Sequence, residues 1–377
     1  MRTKRDRFFK PLCPGPRIAA PWRAAILVVG LTLLTTQLKA QFAFVTNDND
    51  NTIGVYSIAS TGALRQVSGS PFGTGPGGIS VAATPTARFV YVVSGQPGAN
   101  GTVSGYFIGA DGTLGPVPGS PFAAGHQPTV VAATGQFAYV TNALDNTVSG
   151  YSIGFNGALT PIPGSPFASG VQPTPMAIDP TGKFVYVANH ADDTVWAYTI
   201  GCGGALTPVS GSPYASGPGP SAMVIEPTGQ FVYVANEYSG GVSAYSINPD
   251  GSLTPVPGSP FSSGSRPYGI AVDPTGRFLY VLDHTLNTVW AYGIGSNGGL
   301  KTIKGSPFAT GSGPFGVAVD PSAAFVYVAN QFDNTVSGYK VSAIGALTAL
   351  SGSPFRAGNL PTAITVTPKM RPWSLAA

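Results

Sequence analysis

Residues 267–308, PYGIAVDPTGRFLYVLDHTLNTVWAYGIGSNGGLKTIKGSPF, contain four short apolar runs separated by turn residues. Three of the runs are YGIAVD (268–273), RFLYVLD (277–283) and TVWAYGI (288–294), and the fourth follows a Gly-rich turn and leads into Gly-Ser-Pro-Phe. Short runs of β-branched and aromatic residues bounded by Gly, Pro, Asn or Asp are typical of β-strands. This stretch therefore predicts four consecutive strands.

The same pattern recurs seven times along the chain. The second run of each copy has the form Phe-x-(Tyr/Phe)-Val, and its third residues lie 47 or 48 positions apart, at Phe44, Tyr91, Tyr139, Tyr186, Tyr233, Tyr280 and Tyr327. The tetrapeptide Gly-Ser-Pro-(Phe/Tyr) also occurs seven times, ending at Phe72, Phe122, Phe167, Tyr214, Phe261, Phe308 and Phe355. A period of about 40–50 residues with four strands per unit indicates a β-propeller. The sequence therefore predicts an all-β, seven-bladed β-propeller with four antiparallel strands in each blade.

The two ends of the repeat array indicate how the ring closes. The first copy begins at a second strand, QFAFVTN (41–47), and no first strand precedes it. The missing strand is found at the other end, because LPTAITVTP (360–368) matches the first strand PFGVAVDP (314–321) and has no second strand after it. We expect the C-terminal strand to join the N-terminal blade, since this pairing leaves no open sheet edge.

The first 40 residues differ from the repeats and predict a targeting segment. Basic residues precede an apolar run of 13 residues, AAILVVGLTLLTT (24–36), and a small residue, Ala40, follows. This arrangement is typical of a secretory signal peptide, and the run is short for a membrane span. The predicted organisation is a signal peptide (1–40) cleaved after Ala40, a propeller (41–368) and a C-terminal tail (369–377). The expected location is the periplasm, the cell surface or the medium; an uncleaved anchor is the alternative.

Removal of the signal peptide changes the charge of the protein. The whole chain has 19 basic and 15 acidic residues, a net charge of +4, but the first 40 residues contain eight of the basic residues and one acidic residue. The remaining chain has 11 basic and 14 acidic residues, a net charge of −3. This balance argues against nucleic acid as a partner. No membrane span is expected after signal removal, and a monomer is expected.

Residues that break the repeat are candidates for function, because blade geometry does not require them. Loops between second and third strands, and connections from one blade to the next, open on the same face of a propeller. The uncommon ionisable residues concentrate there, and solvated loop residues are the alternative interpretation. The candidate catalytic residues are Glu237, Arg266, His284 and His190, and the candidate ligand-binding residues are His126, Tyr238 and Asp283. No metal site and no cofactor are predicted, because three separated histidines and scattered aspartates do not form a ligand set.

The chain resembles the seven-bladed lactonase-like propellers, a group that includes bacterial 6-phosphogluconolactonase and the fungal muconate-lactonising enzyme. It also resembles the exported propellers named for Tyr-Val-Thr-Asn, which stands here at 139–142. In the enzymes one blade reads like Gly-Pro-Arg-His…Tyr-x-x-Asn-Glu-Leu, and the matching stretch here is GPGPSAMVIEPTGQFVYVANEY (217–238). The resemblance carries the glutamate over to Glu237. This sequence departs from the pattern at Pro220 and Ser221, which replace Arg and His.

Two further departures concern the neighbouring blades. The segment VQPTP (171–175) has no histidine where the enzymes have His-Pro-His, and Asp283-His284 stands where they have Asn-Arg. The resemblance implies lactone hydrolysis. With Glu237 carried over, the placement of the other ionisable residues on the same face predicts Glu237 as the base that activates water, Arg266 as the partner of the oxyanion, and His190 or His284 as a proton shuttle. The substrate would be a small-molecule lactone or a carbohydrate. The alternative function is a non-catalytic binding or scaffold propeller whose partner is a cell-surface protein or glycan.

Overall fold

The computed structural model describes residues 41–96 and 98–369. It confirms the predicted fold class: every regular element in these ranges is a strand, and the strands form seven antiparallel sheets. The predicted signal peptide and all of the predicted tail except Lys369 lie outside the described residues. Blade 1 combines 42–73 with 361–366, and blades 2 to 7 are 78–126, 128–168, 173–215, 220–262, 267–309 and 314–356.

Each blade has an innermost, a second, a third and an outermost strand. The innermost strands of blades 1 to 7 are Pro361–Val366, Gly78–Ala83, Pro128–Ala133, Pro173–Ile178, Pro220–Ile225, Pro267–Val272 and Pro314–Val319. The second strands are Phe42–Asn47, Phe89–Ser94, Phe137–Asn142, Phe184–Asn189, Phe231–Asn236, Phe278–Asp283 and Phe325–Asn330. The third strands are Thr52–Ile58, Asn100–Ile108, Thr147–Ile153, Thr194–Ile200, Gly241–Ile247, Thr288–Ile294 and Thr335–Val341.

The outermost strand of each blade consists of two segments that pair with opposite ends of the third strand. The first segments are Leu64–Gln66, Leu114–Pro116, Leu159–Pro161, Leu206–Pro208, Leu253–Pro255, Leu300–Thr302 and Leu347–Ala349. The second segments are Phe72–Gly73, Phe122–His126, Phe167–Ala168, Tyr214–Ala215, Phe261–Ser262, Phe308–Ala309 and Phe355–Arg356. The Gly-Ser-Pro motif lies at the break between the two segments.

The Gly-Ser-Pro motif replaces the hydrogen bond that this break removes. In blade 6 the Ser306 hydroxyl accepts the backbone N–H of Ala291 at 2.9 Å, and the same bond recurs in all seven blades at 2.8–3.0 Å. The glycine before this serine has a positive φ in every copy, 92° at Gly305, which favours glycine because a side chain is strained there. The motif is therefore structural, since a backbone N–H inside a sheet needs an acceptor.

The apolar core lies between the blades. Seven apolar clusters are present, and each combines buried residues of two neighbouring blades. One example joins Tyr186 and Val195 of blade 4 to Val232 and Val234 of blade 5. Burial of apolar side chains is the main favourable term in folding, so each blade depends on both of its neighbours.

The structure confirms that the C-terminal strand joins the N-terminal blade and closes the ring. The innermost strand of blade 1 is Pro361–Val366, and it pairs antiparallel with Phe42–Asn47, with Val45 opposite Ile364. The hydroxyls of Thr46 and Thr362 hydrogen-bond across this pairing at 2.8 Å. The blade is therefore built from both ends of the described chain. In the described ranges no helix could cross a membrane.

Candidate active site

One position in every blade, the residue directly after the second strand, lies at the same place on the loop face. Its backbone N–H donates to the carbonyl of the residue before the innermost strand, as from Glu237 to Gly219 at 2.7 Å and from His284 to Arg266 at 3.0 Å. In blades 1 to 7 this position is occupied by Asp48, Gly95, Ala143, His190, Glu237, His284 and Gln331. Three consecutive blades, 4 to 6, therefore present His, Glu and His from equivalent positions.

Glu237 is the centre of a charged cluster. Its side chain is 5% exposed, and one carboxylate oxygen, Oε1, accepts hydrogen bonds from Nε and Nη2 of Arg266, at 2.6 Å for Nε. The other oxygen, Oε2, lies 3.2 Å from Nε2 of His190, whose side chain is 18% exposed. A buried carboxylate requires partners of this kind, because desolvation of an unpaired charge is costly. The structure thus joins Glu237, Arg266 and His190 from three elements.

The connection that carries Arg266 differs from the other six. In those six the residue before the innermost strand has a positive φ, between 47° and 72°; in the connection between blades 5 and 6 the positive φ lies instead at Gly264, with 95°. The Asp283 carboxylate holds this altered connection by accepting the backbone N–H groups of Ser265 at 2.5 Å and of Arg266 at 3.4 Å. Asn occupies the Asp283 position in five other blades. The exceptional backbone and the exceptional aspartate therefore occur together.

Arg266 keeps donors for a ligand. A guanidinium has five N–H groups, of which Glu237 takes two, and the Arg266 side chain is 48% exposed. The hydrogen bond to Glu237 raises the pKa of Arg266 further above its usual range. The remaining donors are therefore permanently charged and open to solvent at the loop face.

Two tyrosines border the charged cluster. The ring of Tyr238, which is exposed, meets the ring of His190 edge-on, with 5.3 Å between centroids. Burial raises the pKa of Tyr268 to about 12, and the negative charge of Glu237 adds to this rise. Tyr268 therefore keeps its proton at neutral pH and can act as a hydrogen-bond donor.

His284 faces aromatic rings. Its ring centroid lies 5.7 Å from that of Tyr268, 6.4 Å from that of Phe315 and 5.5 Å from that of Phe332. Tyr268 and Phe315 are themselves 4.2 Å apart. His284 is thus linked to the Glu237 cluster through Tyr268, and its predicted role as a proton shuttle stays a prediction.

A cavity lies on the axis of the propeller. This cavity has a volume of about 470 Å³ and is lined by three residues from each innermost strand, namely 79–81, 129–131, 174–176, 221–223, 268–270, 315–317 and 362–364. Tyr268 belongs to this lining and is its only ionisable residue. A second cavity of about 500 Å³ lies between blades 1 and 2, includes Asp48 and Gln96, and contains none of the predicted site residues.

Two predicted ligand-binding residues lie outside the charged cluster. His126 pairs with Asp145, whose Oδ1 is 2.7 Å from Nδ1 of the histidine and whose Oδ2 accepts its backbone N–H at 2.8 Å. This backbone bond, followed by the ring contact, lowers the pKa of Asp145. Asp283 is fully buried and directs its carboxylate at backbone amides. A ligand-binding role for either residue stays a prediction.

The Asp-Asn loops between second and third strands bond the backbone of the next connection between blades. Asn146 Oδ1 accepts the N–H of Gln172, and Asn334 Oδ1 accepts the N–H of Leu360, both at 2.9 Å. Among residues 41–96 and 98–369 no group of three or more His, Cys, Asp or Glu could hold a metal ion.

Tyr268 and Phe315 are site residues that the sequence analysis did not identify. Both occupy the second position of an innermost strand, where the blades from 1 to 7 carry Thr362, Ile79, Thr129, Thr174, Ser221, Tyr268 and Phe315. Five of these seven side chains are small or aliphatic, so a comparison of this position across the repeats could have revealed both aromatic residues.

Comparison with known proteins places the fold among lactonase-like propellers. Residues 42–364 match the family described as lactonase, 7-bladed beta-propeller. No curated protein sequence matches the chain.

Solved structures with the same fold include two from Bacteroides and Pseudomonas. A putative 6-phosphogluconolactonase from Bacteroides fragilis superimposes with a TM-score of 0.77 and 19% identity, covering 89% of this chain and 99% of that one. A periplasmic gluconolactonase from Pseudomonas aeruginosa gives a TM-score of 0.74 and 18% identity, covering 87% of this chain and 99% of that one. At this identity the likeness concerns the fold alone.

Proposed function

Because this chain belongs to the lactonase family of seven-bladed β-propellers, we propose that it hydrolyses a lactone on its loop face, where Glu237, Arg266 and His190 meet. The single observation that carries the proposal is the buried Glu237 carboxylate, held by Arg266 on one oxygen and by His190 on the other. A carboxylate, an imidazole and a guanidinium within hydrogen-bond reach supply the proton acceptor and the cation that ester hydrolysis needs.

The proposed reaction uses water and returns every proton. His190 relays a proton from a water molecule to the base Glu237, whose Oε2 lies 3.2 Å from Nε2 of His190. The water oxygen forms a bond to the lactone carbonyl carbon, and the remaining donors of Arg266 stabilise the oxyanion. The ring C–O bond then breaks, the proton passes to the leaving oxygen, and a hydroxy acid is released.

A non-catalytic binding propeller is the second candidate. The observation in its favour is the direct pairing of Arg266 with Glu237, since a structural ion pair would look the same. The described lining of the axial cavity carries no charged side chain, since its one ionisable residue, Tyr268, is neutral, and this also fits a binding role. Such a protein would bind a small molecule, a surface protein or a glycan without turnover.

We also propose that the propeller is exported to the periplasm, the cell surface or the medium. Support comes from the basic and apolar composition of residues 1–40 and from the periplasmic relative, which has the same fold. N-terminal sequencing of the protein from cell fractions tests this: a cytoplasmic protein that retains residues 1–40 would contradict it.

The first experiment compares lactone hydrolysis by the 41–377 chain and by Glu237→Gln. We expect turnover of at least one lactone and a loss of about 100-fold or more in kcat/KM for the variant, because general acid–base groups contribute about 10²–10⁴-fold. Acid release from a panel of sugar, aliphatic and aromatic lactones provides the measurement.

Glu226→Gln is the matched control. Glu226 lies in the same blade, but it accepts the backbone N–H groups of Thr228 and Gln230 in a turn on the opposite face. We expect this variant to retain the rate of the parent protein. Equal rates for the parent and Glu237→Gln would eliminate the proposed role of Glu237, and no turnover on any lactone would favour the binding propeller.

A further inference from the structure

An aromatic wall lies at the loop-face mouth of the axial cavity. The wall consists of Tyr268, His284, Phe315 and Phe332, and the centroids of its contacting rings lie 4.2–6.4 Å apart. Phe332 is 62% exposed, so the wall extends from the cavity to solvent. A contiguous aromatic cluster that continues into a cavity is typical of a ligand-binding site.

The aromatic wall is continuous with the proposed catalytic cluster. Tyr268 belongs both to the wall and to the cavity lining, and its pKa responds to the charges of Glu237 and Arg266. A ligand whose reactive group contacts Arg266 would therefore place its remaining atoms against Tyr268 and Phe315.

The cavity lining offers no counter-charge for an ionised substrate. Of its residues only Tyr268 can ionise, and its pKa of about 12 keeps it neutral. Arg266 lies outside this lining, pairs with Glu237, and in the proposed reaction uses its remaining donors for the oxyanion. Transfer of a phosphate or carboxylate group from water into such a lining is unfavourable.

The serine and threonine hydroxyl groups of the lining already have protein partners. Thr129 bonds to Thr141, Ser221 to the carbonyl of Pro267, and Thr362 to Thr46 and to the carbonyl of Gly78. The remaining two, Ser80 and Thr174, bond to backbone groups. Beyond the Tyr268 hydroxyl, a polyhydroxylated sugar would therefore find few free side-chain hydroxyls here, whereas an apolar ring would leave these hydrogen bonds intact.

From this arrangement we infer that the site takes an uncharged lactone with an aromatic or other apolar ring, and that the ring packs against Tyr268 and Phe315. This inference rests on the proposed function and specifies its substrate class. The volume of about 470 Å³ accommodates a ligand of one or two rings.

Binding of unreactive analogues tests the inference without requiring hydrolysis. Chroman has the bicyclic skeleton of an aromatic lactone, anhydroglucitol is an uncharged polyol ring, and anhydroglucitol phosphate adds the charge. None of the three contains a carboxylic ester. Calorimetric titration of the 41–377 chain is expected to give at least about tenfold tighter binding for chroman than for either sugar analogue, because aromatic contacts add to apolar burial.

Two wall variants and one control locate the binding. Phe332→Ala and Phe315→Leu are expected to weaken chroman binding about threefold to tenfold, and Phe332 is exposed enough that its removal does not threaten folding. Phe155, which is 85% exposed in a turn on the opposite face, provides the control, and Phe155→Ala should leave binding within about twofold.

The outcomes separate the inference from the proposed function. Chroman binding that depends on the wall, without turnover of dihydrocoumarin, would support the ligand class and contradict hydrolysis. Turnover of gluconolactone that depends on Glu237, with no chroman binding, would support hydrolysis and overturn the inference. Tighter binding of the phosphorylated sugar than of chroman would also overturn it.

Discussion

Arg266 shows how a single residue can depart from a repeat when its neighbours permit it. Its connection takes a backbone path different from the other six, and Asp283 replaces the usual Asn and accepts the N–H groups of Ser265 and Arg266. This path presents the guanidinium to Glu237 of the preceding blade. Because Glu237 is buried, removal of Arg266 is expected to cost more than removal of one partner of a surface ion pair.

We predict that Arg266→Ala lowers the free energy of unfolding by about 1–3 kcal/mol, because Glu237 is then a buried carboxylate with one partner fewer. In the Glu237→Gln background the same change should cost less than about 1 kcal/mol. Denaturant unfolding of the four proteins of this double-mutant cycle provides the measurement.

Arg277→Ala is the control for this cycle. Arg277 belongs to the same blade but donates to the carbonyl of Ala343, in the turn between the third and outermost strands of blade 7. Its effect should add to that of Glu237→Gln within about 0.5 kcal/mol. Additivity of Arg266→Ala and Glu237→Gln would contradict the pairing.

At the scale of the strands, tyrosines join each blade to both neighbours. The hydroxyl of Tyr91 in blade 2 donates to the carbonyl of Gly157 in blade 3 at 2.8 Å. The boundary between two neighbouring blades is called a seam below, and the corresponding bond recurs at five further seams. Third-strand tyrosines bond in the opposite direction, as from Tyr198 in blade 4 to Ala168 in blade 3 at 2.7 Å. Blade 1 carries Phe44, which has no hydroxyl, at the second-strand position. Its seam with blade 2 therefore has only the bond from the third-strand Tyr106 of blade 2 to the carbonyl of Gly73 in blade 1.

We predict that Phe44→Tyr stabilises the protein by about 0.5–1.5 kcal/mol by donating a hydrogen bond to the carbonyl of Gly112, the counterpart of Gly157. Tyr91→Phe should destabilise it by about 1–3 kcal/mol, because a buried carbonyl loses its donor. Thermal unfolding of both variants tests this: a lower melting temperature for Phe44→Tyr would show that the first seam has no room for the hydroxyl.

For the whole molecule, the closed ring buries nearly all of its tyrosines. Of the sixteen tyrosines, fourteen have a raised pKa, chiefly because burial disfavours the phenolate. In the unfolded chain these groups ionise near pH 10. Above that pH the folded state binds more protons than the unfolded state, so stability falls as the pH rises.

We therefore predict that the propeller is stable to about pH 10 and unfolds cooperatively as the pH rises further. The ultraviolet absorbance of tyrosinate should increase together with the loss of the β-sheet circular dichroism signal. Ionisation of most tyrosines near pH 10 without loss of that signal would contradict their burial at the seams.

The repeat made most of the fold predictable. The spacing of Tyr91, Tyr139 and their counterparts determined the number of blades, and the unmatched runs at the two ends determined the closing pair. The equivalent positions of His190, Glu237 and His284 also followed, because residues at one repeat position occupy one place on each blade. The side chains that contact these three residues did not follow from the repeat.

By itself the sequence determined the seven blades, the closure of the ring and the face on which the uncommon side chains lie, because these depend on local strand patterns repeated at a constant period. Tertiary structure alone decided that Arg266 and His190 meet Glu237, that His126 pairs with Asp145 and that Tyr268 joins Phe315. The physical reason is that such contacts depend on connection geometry and side-chain packing between neighbouring blades, which no single repeat contains.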